Sequence, residues 1–144
     1  MKAAILLIGR IGQVGYELHR TLGVLGRVVA IDYPAIDLTD GASIRKWVRD
    51  LTPAVVINAA AYTAVDKAET EPDRCHQING IAPGILAEET KRAGALLIHY
   101  STDYVFDGAK KTPYTEQDAP NPLGAYGRSK LAGDLAVQQV GGNF

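Results

Sequence analysis

Four short apolar runs divide the chain into regular segments. They cover Ala3–Ile8, Arg27–Ile31, Ala54–Ala60 and Ala95–Tyr100, and they are rich in Val, Ile and Leu. Because apolar residues do not alternate with polar ones in these runs, the pattern is typical of parallel strands covered on both faces. A helical pattern follows each run. The sequence therefore predicts an α/β fold, a doubly wound parallel sheet of the Rossmann type, built from right-handed βαβ crossovers.

The clearest helix is predicted to begin after Asp40, a residue type that caps helix N-termini well. Ile44, Trp47, Val48 and Leu51 recur at helical spacing on one stripe, and charged residues occupy the other positions. Such a stripe indicates a helix that packs one face against a core.

The longest irregular stretch runs from Asp103 to Leu123 and is rich in Pro, Gly and Asp. A loop of this length in a compact domain is more often functional than incidental. We therefore expect it to border a binding or catalytic site.

Composition narrows the class of protein. The chain has 144 residues, of which 47% are apolar and 22% charged, and its formal net charge is -1. This profile is typical of one globular domain without a basic stripe for nucleic acid, and no run reaches the length of a membrane span. The single cysteine, Cys75, allows no internal disulfide and has no neighbours at metal-ligand spacing, so we expect no metal and a cytoplasmic location.

A glycine-rich turn follows the first predicted strand in "GRIGQVG". Gly12 would let the backbone approach a ligand, and Gly15 would let the next helix pack closely on the sheet, leaving free N–H groups to face a pyrophosphate. The pattern predicts a dinucleotide cofactor. The turn residues expected to contact it are Gly9, Arg10, Gly12, Gln13 and Val14.

Two residues near this turn favour different cofactors. Asp32, at the end of the second strand, would accept hydrogen bonds from the adenosine ribose and repel a 2′-phosphate, which favours NAD. Arg10 lies within the turn and could pair with a 2′-phosphate. The sequence leaves NADH and NADPH both open. Small residues after the third strand, Ala59, Ala60 and Ala61, lie where a dinucleotide would cross the sheet edge.

Tyr126 and Lys130 are four residues apart and would share one face of a helix. A cation near a tyrosine makes its phenol a stronger acid, so Lys130 could act on the hydroxyl of Tyr126. Thr102, after the fourth strand, could donate a hydrogen bond to a carbonyl oxygen. Together with the glycine turn, these residues predict nicotinamide-dependent reduction of a carbonyl group.

The chain resembles the extended short-chain dehydrogenase/reductase family over essentially its whole length. The resemblance rests on "GxxGQVG", "NAAAYTAVDKAE", "STDYVFDG", "TPYTEQDAPNPL" and "YGRSKLAG". It implies that the glycine turn holds pyrophosphate, and that Asp32, Asp37 and Leu38 lie near adenosine. It places Ala59 and Ala60 near the nicotinamide half. It also implies a catalytic set of Thr102, Tyr126 and Lys130, with Thr102, Asp103 and Tyr104 contacting substrate.

The resemblance further implies a reaction. Hydride would pass from NADPH or NADH to the C4 ketone of dTDP-4-dehydro-L-rhamnose, giving dTDP-L-rhamnose. Tyr126 would supply the proton, and Lys130 would support Tyr126 and bind the nicotinamide ribose. The partners implied are a dTDP-sugar substrate and no nucleic acid or membrane, and the family is compatible with a homodimer.

Two features depart from the family pattern. Asp134 stands where relatives usually carry Glu, and the chain ends at Phe144, where relatives continue with another strand and a smaller lobe that grips the sugar nucleotide. We therefore expect residues 1–144 to form the NAD(P)-binding domain of a truncated chain without its substrate lobe, with an unpaired sheet edge.

Two other functions stay open. Another nucleotide-sugar 4-ketoreductase or an epimerase would share the same catalytic set. A non-catalytic NADP-binding regulatory subunit is the alternative from another class, although the intact pair Tyr126 and Lys130 argues against it.

Two remaining polar features have structural interpretations. Pro83 lies four residues after Asn79 and would leave the Asn79 carbonyl without its helical partner, so that the carbonyl could either hold a water or mark a helix kink. His99 lies in an apolar strand and is expected to be a hydrogen-bonded core residue.

Overall fold

A computed structural model describes residues 4–144 and contains one parallel sheet of four strands in the order β2-β1-β3-β4. The strands are β1 (Ala4–Ile8), β2 (Arg27–Ile31), β3 (Val55–Asn58) and β4 (Leu96–His99). Each matches a predicted run, which confirms the fold class. Ala3, where the first run was expected to begin, lies outside the described residues.

Helices connect the strands and cover the sheet. They are α1 (Gln13–Thr21), α2 (Gly41–Leu51), α3 (Val65–Ala68), α4 (Pro72–His76), α5 (Ala82–Ala93) and α6 (Ala125–Val140), with a π-helical turn at Gln77–Ile81 between α4 and α5. Within residues 4–144, no helix combines the length and apolar character needed to cross a membrane.

The order of the strands reverses between β1 and β3. The chain moves outward from β1 to β2, then returns to place β3 on the other side of β1. In open parallel sheets, ligands bind beyond the carboxyl ends of the strands at such a switch point. The topology therefore directs attention to the residues that follow β1, β2 and β3.

Alternate residues of β1 belong to two separate core clusters. Leu6 and Ile8 pack with residues of α2 and α5, whereas Ile5 and Leu7 pack with Leu18 of α1. Burying a side chain of this size contributes roughly 1.5–3 kcal/mol. Because both faces of β1 are covered, its apolar run does not alternate with polar residues.

Helix α2 forms as its pattern predicts. Asp40 caps it by accepting a hydrogen bond from the backbone N–H of Ala42 at 2.9 Å. Ile44 and Val48 are buried, and Trp47 packs against the same cluster while its indole N–H donates to the Ala35 carbonyl at 2.8 Å. The stripe and the cap thus fix α2 on the sheet face.

The outer edge of β4 is partly open. Leu96 and Ile98 are 39% and 37% exposed. The backbone N–H of Leu97 donates to the Asn143 carbonyl at 2.9 Å, and Leu96 and Asn143 form a single parallel bridge. The last residues therefore lie along this edge and cover only its first part.

An ion-pair cluster joins α2 to α5. The carboxylate of Glu89 is 2% exposed and receives hydrogen bonds from Arg45, Arg49 and Arg92 at 2.7 to 2.9 Å. The bond from Arg49 is the main reason that the pKa of Glu89 falls from 4.5 to about 2. A buried carboxylate with this number of donors holds two helices in register.

We predict that Glu89→Gln lowers the free energy of unfolding by about 2 kcal/mol at neutral pH, since charged hydrogen bonds are lost. The pKa of Glu89 is lower in the folded state, so its contribution is complete above about pH 4.5 and disappears as pH falls towards 2. Urea unfolding across this range measures both effects. Glu88→Gln, beside it but paired only with Arg45, is the control. Equal destabilisation by the two variants would contradict the role assigned to Glu89.

Candidate cofactor and active site

The glycine turn after β1 is held close to the neighbouring backbone. Gly9 has φ +92°, and a Cβ atom there would lie 2.6 Å from the Ala60 nitrogen. A Cβ at Gly15 would lie 1.9 Å from the Gly9 carbonyl oxygen. Neither position can accept a side chain. The glycines therefore let β1, α1 and the segment after β3 meet at one point.

A cavity of about 600 Å³ opens at this turn. Helix α1 begins at Gln13 without a side-chain cap, so its first N–H groups remain available to an anion. Most of the predicted cofactor residues line the cavity. They are Gly9, Gly12, Gln13, Val14, Asp32, Ala59, Ala60 and Ala61, joined by Ile11 and Thr63.

A second cavity of about 450 Å³ continues from the first and shares Asp32, Ala60 and Ala61 with it. It contains Asp37 and Leu38, the two residues predicted to lie near adenosine. The two cavities form one groove across the carboxyl ends of β2, β1 and β3. Its length and its cradle of backbone N–H groups fit a dinucleotide.

Asp32 has a structural task that the sequence did not reveal. One of its carboxylate oxygens accepts from the N–H of Ile11 at 3.1 Å and the other accepts from the N–H of Tyr33 at 2.9 Å. Asp32 thus ties the glycine turn to the end of β2. Each oxygen can accept a further hydrogen bond, so a contact with ribose remains open.

Two arginines lie near the groove, one of which the sequence did not indicate. Arg10 is exposed and is not among the residues that line either cavity. Arg74 of α4 lines the cavity that contains Asp37. Hydrogen bonds from Thr39 are the main cause of a lowered pKa for Asp37, and the charge of Arg74 adds to it. Arg74 was missed because only the fold brings α4 to this groove.

Tyr126 lies in the first turn of α6 and lines a third cavity, of about 380 Å³. The predicted substrate residues Asp103 and Tyr104 line the same cavity, and the rings of Tyr104 and Tyr126 meet edge to face with centroids 5.5 Å apart. Val65 lines this cavity and Thr63 lines the cavity at the glycine turn. The short segment from Thr63 to the first residue of α3 therefore borders both cavities.

The hydroxyl of Thr102 forms hydrogen bonds with the two residues that follow it. Its hydroxyl accepts from the N–H of Tyr104 at 3.3 Å and donates to an Asp103 carboxylate oxygen at 3.3 Å. Thr102 is half-buried, next to two residues that line the Tyr126 cavity, but is not itself among the lining residues. Its predicted contact with a carbonyl oxygen would need the hydroxyl to turn away from these partners.

Lys130 is 3% exposed, one turn beyond Tyr126. Its ammonium donates to the Tyr100 carbonyl at 2.5 Å and lies 3.5 Å from His99 Nε2. Within residues 4–144 no hydrogen bond joins it to the Tyr126 hydroxyl, and the action of its charge on that hydroxyl stays a prediction. Burial lowers the pKa of Lys130, and the charge of Asp134 opposes this. The Tyr100 carbonyl directly follows β4 and faces α6, so the ammonium of Lys130 can donate a hydrogen bond to it.

The long loop between β4 and α6 is ordered around Asp107. This carboxylate accepts from the Ala109 N–H, the Tyr114 hydroxyl and the Asn121 amide at 2.7 to 2.9 Å. These bonds, led by the one from Ala109, lower the pKa of Asp107 to about 2. Phe106 and Tyr114 stack with centroids 4.3 Å apart and help line the Tyr126 cavity. The loop therefore forms a wall of the candidate active site.

Asn79 lies in the π-helical turn and fixes the loop that follows β3. Its side chain accepts from the N–H of Tyr62 at 2.8 Å and donates to the Tyr62 carbonyl at 3.0 Å. Its own carbonyl packs against Gly133 of α6, where a Cβ atom would approach it to 2.1 Å. This carbonyl therefore packs against α6, beside the π-helical turn that interrupts the regular helix before Pro83.

Glu69 was also missed by sequence reasoning. Its carboxylate accepts from the N–H of Ala125, the first residue of α6, at 2.6 Å, and Gly124 at the cap has no side chain to do so. A carboxylate at a helix N-terminus is stabilised by the helix dipole. Glu69 is far from Tyr126 in the sequence, yet it holds the helical turn in which Tyr126 lies.

We predict that Glu69→Ala loosens the start of α6. Loss of a capping carboxylate costs about 1 kcal/mol, and the amides of the first turn should exchange with solvent faster. Hydrogen exchange measured by NMR at Ala125 to Arg128 tests this, with Glu116→Ala in the exposed loop as control. Equal exchange rates in both variants would mean that Glu69 does not hold the helix.

Comparison with known proteins adds to this geometry. A family model described as "RmlD substrate binding domain" matches residues 1–144. The chain is 52% identical over 140 residues to dTDP-4-dehydrorhamnose reductase of Burkholderia thailandensis, a match that covers 97% of this chain and 47% of that protein. It is 44% identical to the Salmonella typhimurium protein of the same name, over 93% of this chain and 46% of that protein.

Solved structures of other proteins also resemble the structure of this chain. The dTDP-4-dehydrorhamnose reductase of Bacillus anthracis, crystallised with NADP, superposes with a TM-score of 0.94 at 34% identity, covering 99% of this chain and 51% of that one. UDP-glucose 4-epimerase of Thermus thermophilus, in complex with NAD, has a TM-score of 0.83 at 21% identity and shares the fold. The chain spans about half the length of the curated relatives it matches.

Proposed function

The chain belongs to the RmlD substrate binding domain family, and from this premise we propose that it supplies the cofactor site and the proton donor of a nucleotide-sugar reductase. The observation that carries the proposal is the position of Tyr126. It lines a cavity that meets the dinucleotide groove at one short segment, since Thr63 lines the groove and Val65, two residues later, lines the cavity of Tyr126. A nicotinamide that crosses the sheet edge would thus reach the phenol.

The proposed substrate is dTDP-4-dehydro-L-rhamnose, reduced at C4 to dTDP-L-rhamnose. Support comes from the names of relatives at 52% and 44% identity and from the cavity next to Tyr126, where Asp103 and Tyr104 offer polar contacts to a sugar.

The cofactor proposed is NADPH or NADH, and its reduced nicotinamide supplies a hydride when bound. The chain performs the remaining steps. Tyr126 donates its phenol proton to the alkoxide that forms at C4, and Thr102 donates a hydrogen bond to the same oxygen. Lys130, fixed on the Tyr100 carbonyl, keeps two further N–H donors for ribose hydroxyls and contributes a positive charge beside Tyr126.

We predict that Tyr126→Phe abolishes most turnover but retains cofactor affinity, because it removes the proton donor and leaves the glycine turn intact. Turnover is measured in a chimera that continues after Phe144 with the second half of a curated relative, and NADPH affinity is measured by fluorescence. Tyr16→Phe, an exposed tyrosine on α1, is the control. Unchanged turnover in Tyr126→Phe would exclude Tyr126 as the acid. A chimera that binds NADPH but reduces no dTDP-sugar would favour the regulatory alternative.

We predict that Asp32→Ala changes cofactor affinity in two ways. Both NADH and NADPH should bind more weakly, because the glycine turn loses the acceptor of the Ile11 N–H. NADPH should nevertheless gain relative to NADH by about 1 kcal/mol, the energy of two unit charges roughly 4 Å apart in water. Parallel titrations with the two cofactors measure the ratio of NADPH affinity to NADH affinity, and Asp50→Ala on α2 is the control. A constant ratio would place Asp32 away from the 2′-position.

A further inference from the structure

A polar cluster lies beside Lys130 at the ends of β3 and β4, and all of its members except the exposed Ser101 are buried or partly buried. His99 ends β4 with its side chain 8% exposed, and Asp134 of α6 is 18% exposed. Asn58 at the end of β3 is fully buried, and Ser101 follows β4. None of these residues has a role in the proposed chemistry. Polar groups are costly to bury, so the cluster calls for a physical explanation.

The hydrogen bonds of the cluster fix the tautomer of His99. The Asn58 carbonyl oxygen accepts from the Ala60 N–H at 3.3 Å, which turns the Asn58 amide nitrogen towards His99 Nδ1 at 3.2 Å. Nδ1 is then an acceptor, and the ring proton is on Nε2. Asp134 lies 3.6 Å from this Nε2. Burial, with the charge of Lys130, lowers the pKa of His99 to about 4, so the ring is neutral at physiological pH.

This tautomer leaves Lys130 without an acceptor on the imidazole. The ammonium is 3.5 Å from His99 Nε2, but that atom carries a proton, so the Tyr100 carbonyl is its hydrogen-bonding partner. A carbonyl offers only a partial charge. The buried ammonium therefore depends on a nearby negative group to offset the cost of leaving water.

Asp134 is the carboxylate that can do this. It lies one helical turn beyond Lys130, its Oδ1 is next to His99 Nε2, and its other oxygen accepts a hydrogen bond from the Ser101 hydroxyl. Within the described residues, three other titratable side chains lie near Lys130. They are His99 from β4, Tyr126 from the preceding turn of α6, and Cys75 of α4, which contacts the neighbouring Ser129.

We propose that Asp134 is a positioning residue that keeps the buried Lys130 protonated and held against the end of β4, with neutral His99 and Ser101 fixing the carboxylate in place. This inference rests on the proposed function, in which a charged Lys130 binds the nicotinamide ribose and acts on Tyr126. Without the carboxylate, the Tyr100 carbonyl is the one group among the described residues left to offset the cost of burying the ammonium. Lys130 then loses its proton at a lower pH.

The titration of Lys130 tests the inference directly. The side-chain carbon next to the ammonium is labelled with ¹³C, and its chemical shift is followed by NMR against pH in the 144-residue chain. In Asp134→Asn, which keeps the shape but removes the charge, the midpoint should move to lower pH. Asp134→Glu should restore it, and Asp50→Asn, an exposed carboxylate of α2, should leave it unchanged. Identical midpoints in the wild type and Asp134→Asn would overturn the proposal.

Cofactor affinity supplies a second readout. As pH rises, the affinity of Asp134→Asn for NADPH should begin to decline at a lower pH than that of the wild type. At a pH where Lys130 is fully protonated, the two proteins should bind NADPH with equal affinity. Affinity lost equally at every pH would indicate a purely structural role and overturn the proposal. If Asp134→Asn does not fold, Asp134→Ser, which keeps a hydroxyl acceptor, replaces it in both measurements. Failure of the unsubstituted chain to bind NADPH would contradict the proposed function, while the NMR titration would still decide the role of Asp134.

Discussion

The close approach of three backbone segments at Gly9 determines the rest of the site. The end of β1, the start of α1 and the segment after β3 meet where a single Cβ atom would lie 1.9 to 2.6 Å from a neighbouring backbone atom. This contact aims the free N–H groups of α1 at the sheet edge, and it opens a groove across the switch point between β1 and β3. Asp32 secures the contact from the side of β2 through the N–H of Ile11.

The catalytic helix is fixed to the same edge by polar contacts at several places. Glu69 holds the N–H of Ala125, the ammonium of Lys130 holds the end of β4, and the Asn79 carbonyl packs on Gly133. Tyr126 lies between the first two of these contacts. Its position therefore depends on residues from three separate segments of the chain, which the sheet brings together.

The sequence predicted the features that repeat locally. Short apolar runs located all four strands, and the Asp40 cap located α2, because both depend on residues near one another in the chain. The sequence did not predict contacts between residues that are far apart in the chain. Glu69 is far from Ala125 in sequence, and no local pattern marks a capping carboxylate that arrives from another segment. Helical spacing likewise identifies Tyr126 as a neighbour of Lys130, but it cannot show that the Tyr100 carbonyl lies 2.5 Å from the ammonium.

The central claim is that the groove beyond β1 and β3 holds a nicotinamide dinucleotide whose reactive end approaches Tyr126. Amide NMR spectra of the ¹⁵N-labelled chain, recorded during titration with NADPH, test it most directly. We expect saturable binding with chemical-shift changes at Gly9, Gly12 and Ala60, and, at the other end of the cofactor, at Tyr126. An absence of saturation, or shifts confined to residues outside the groove, would contradict it.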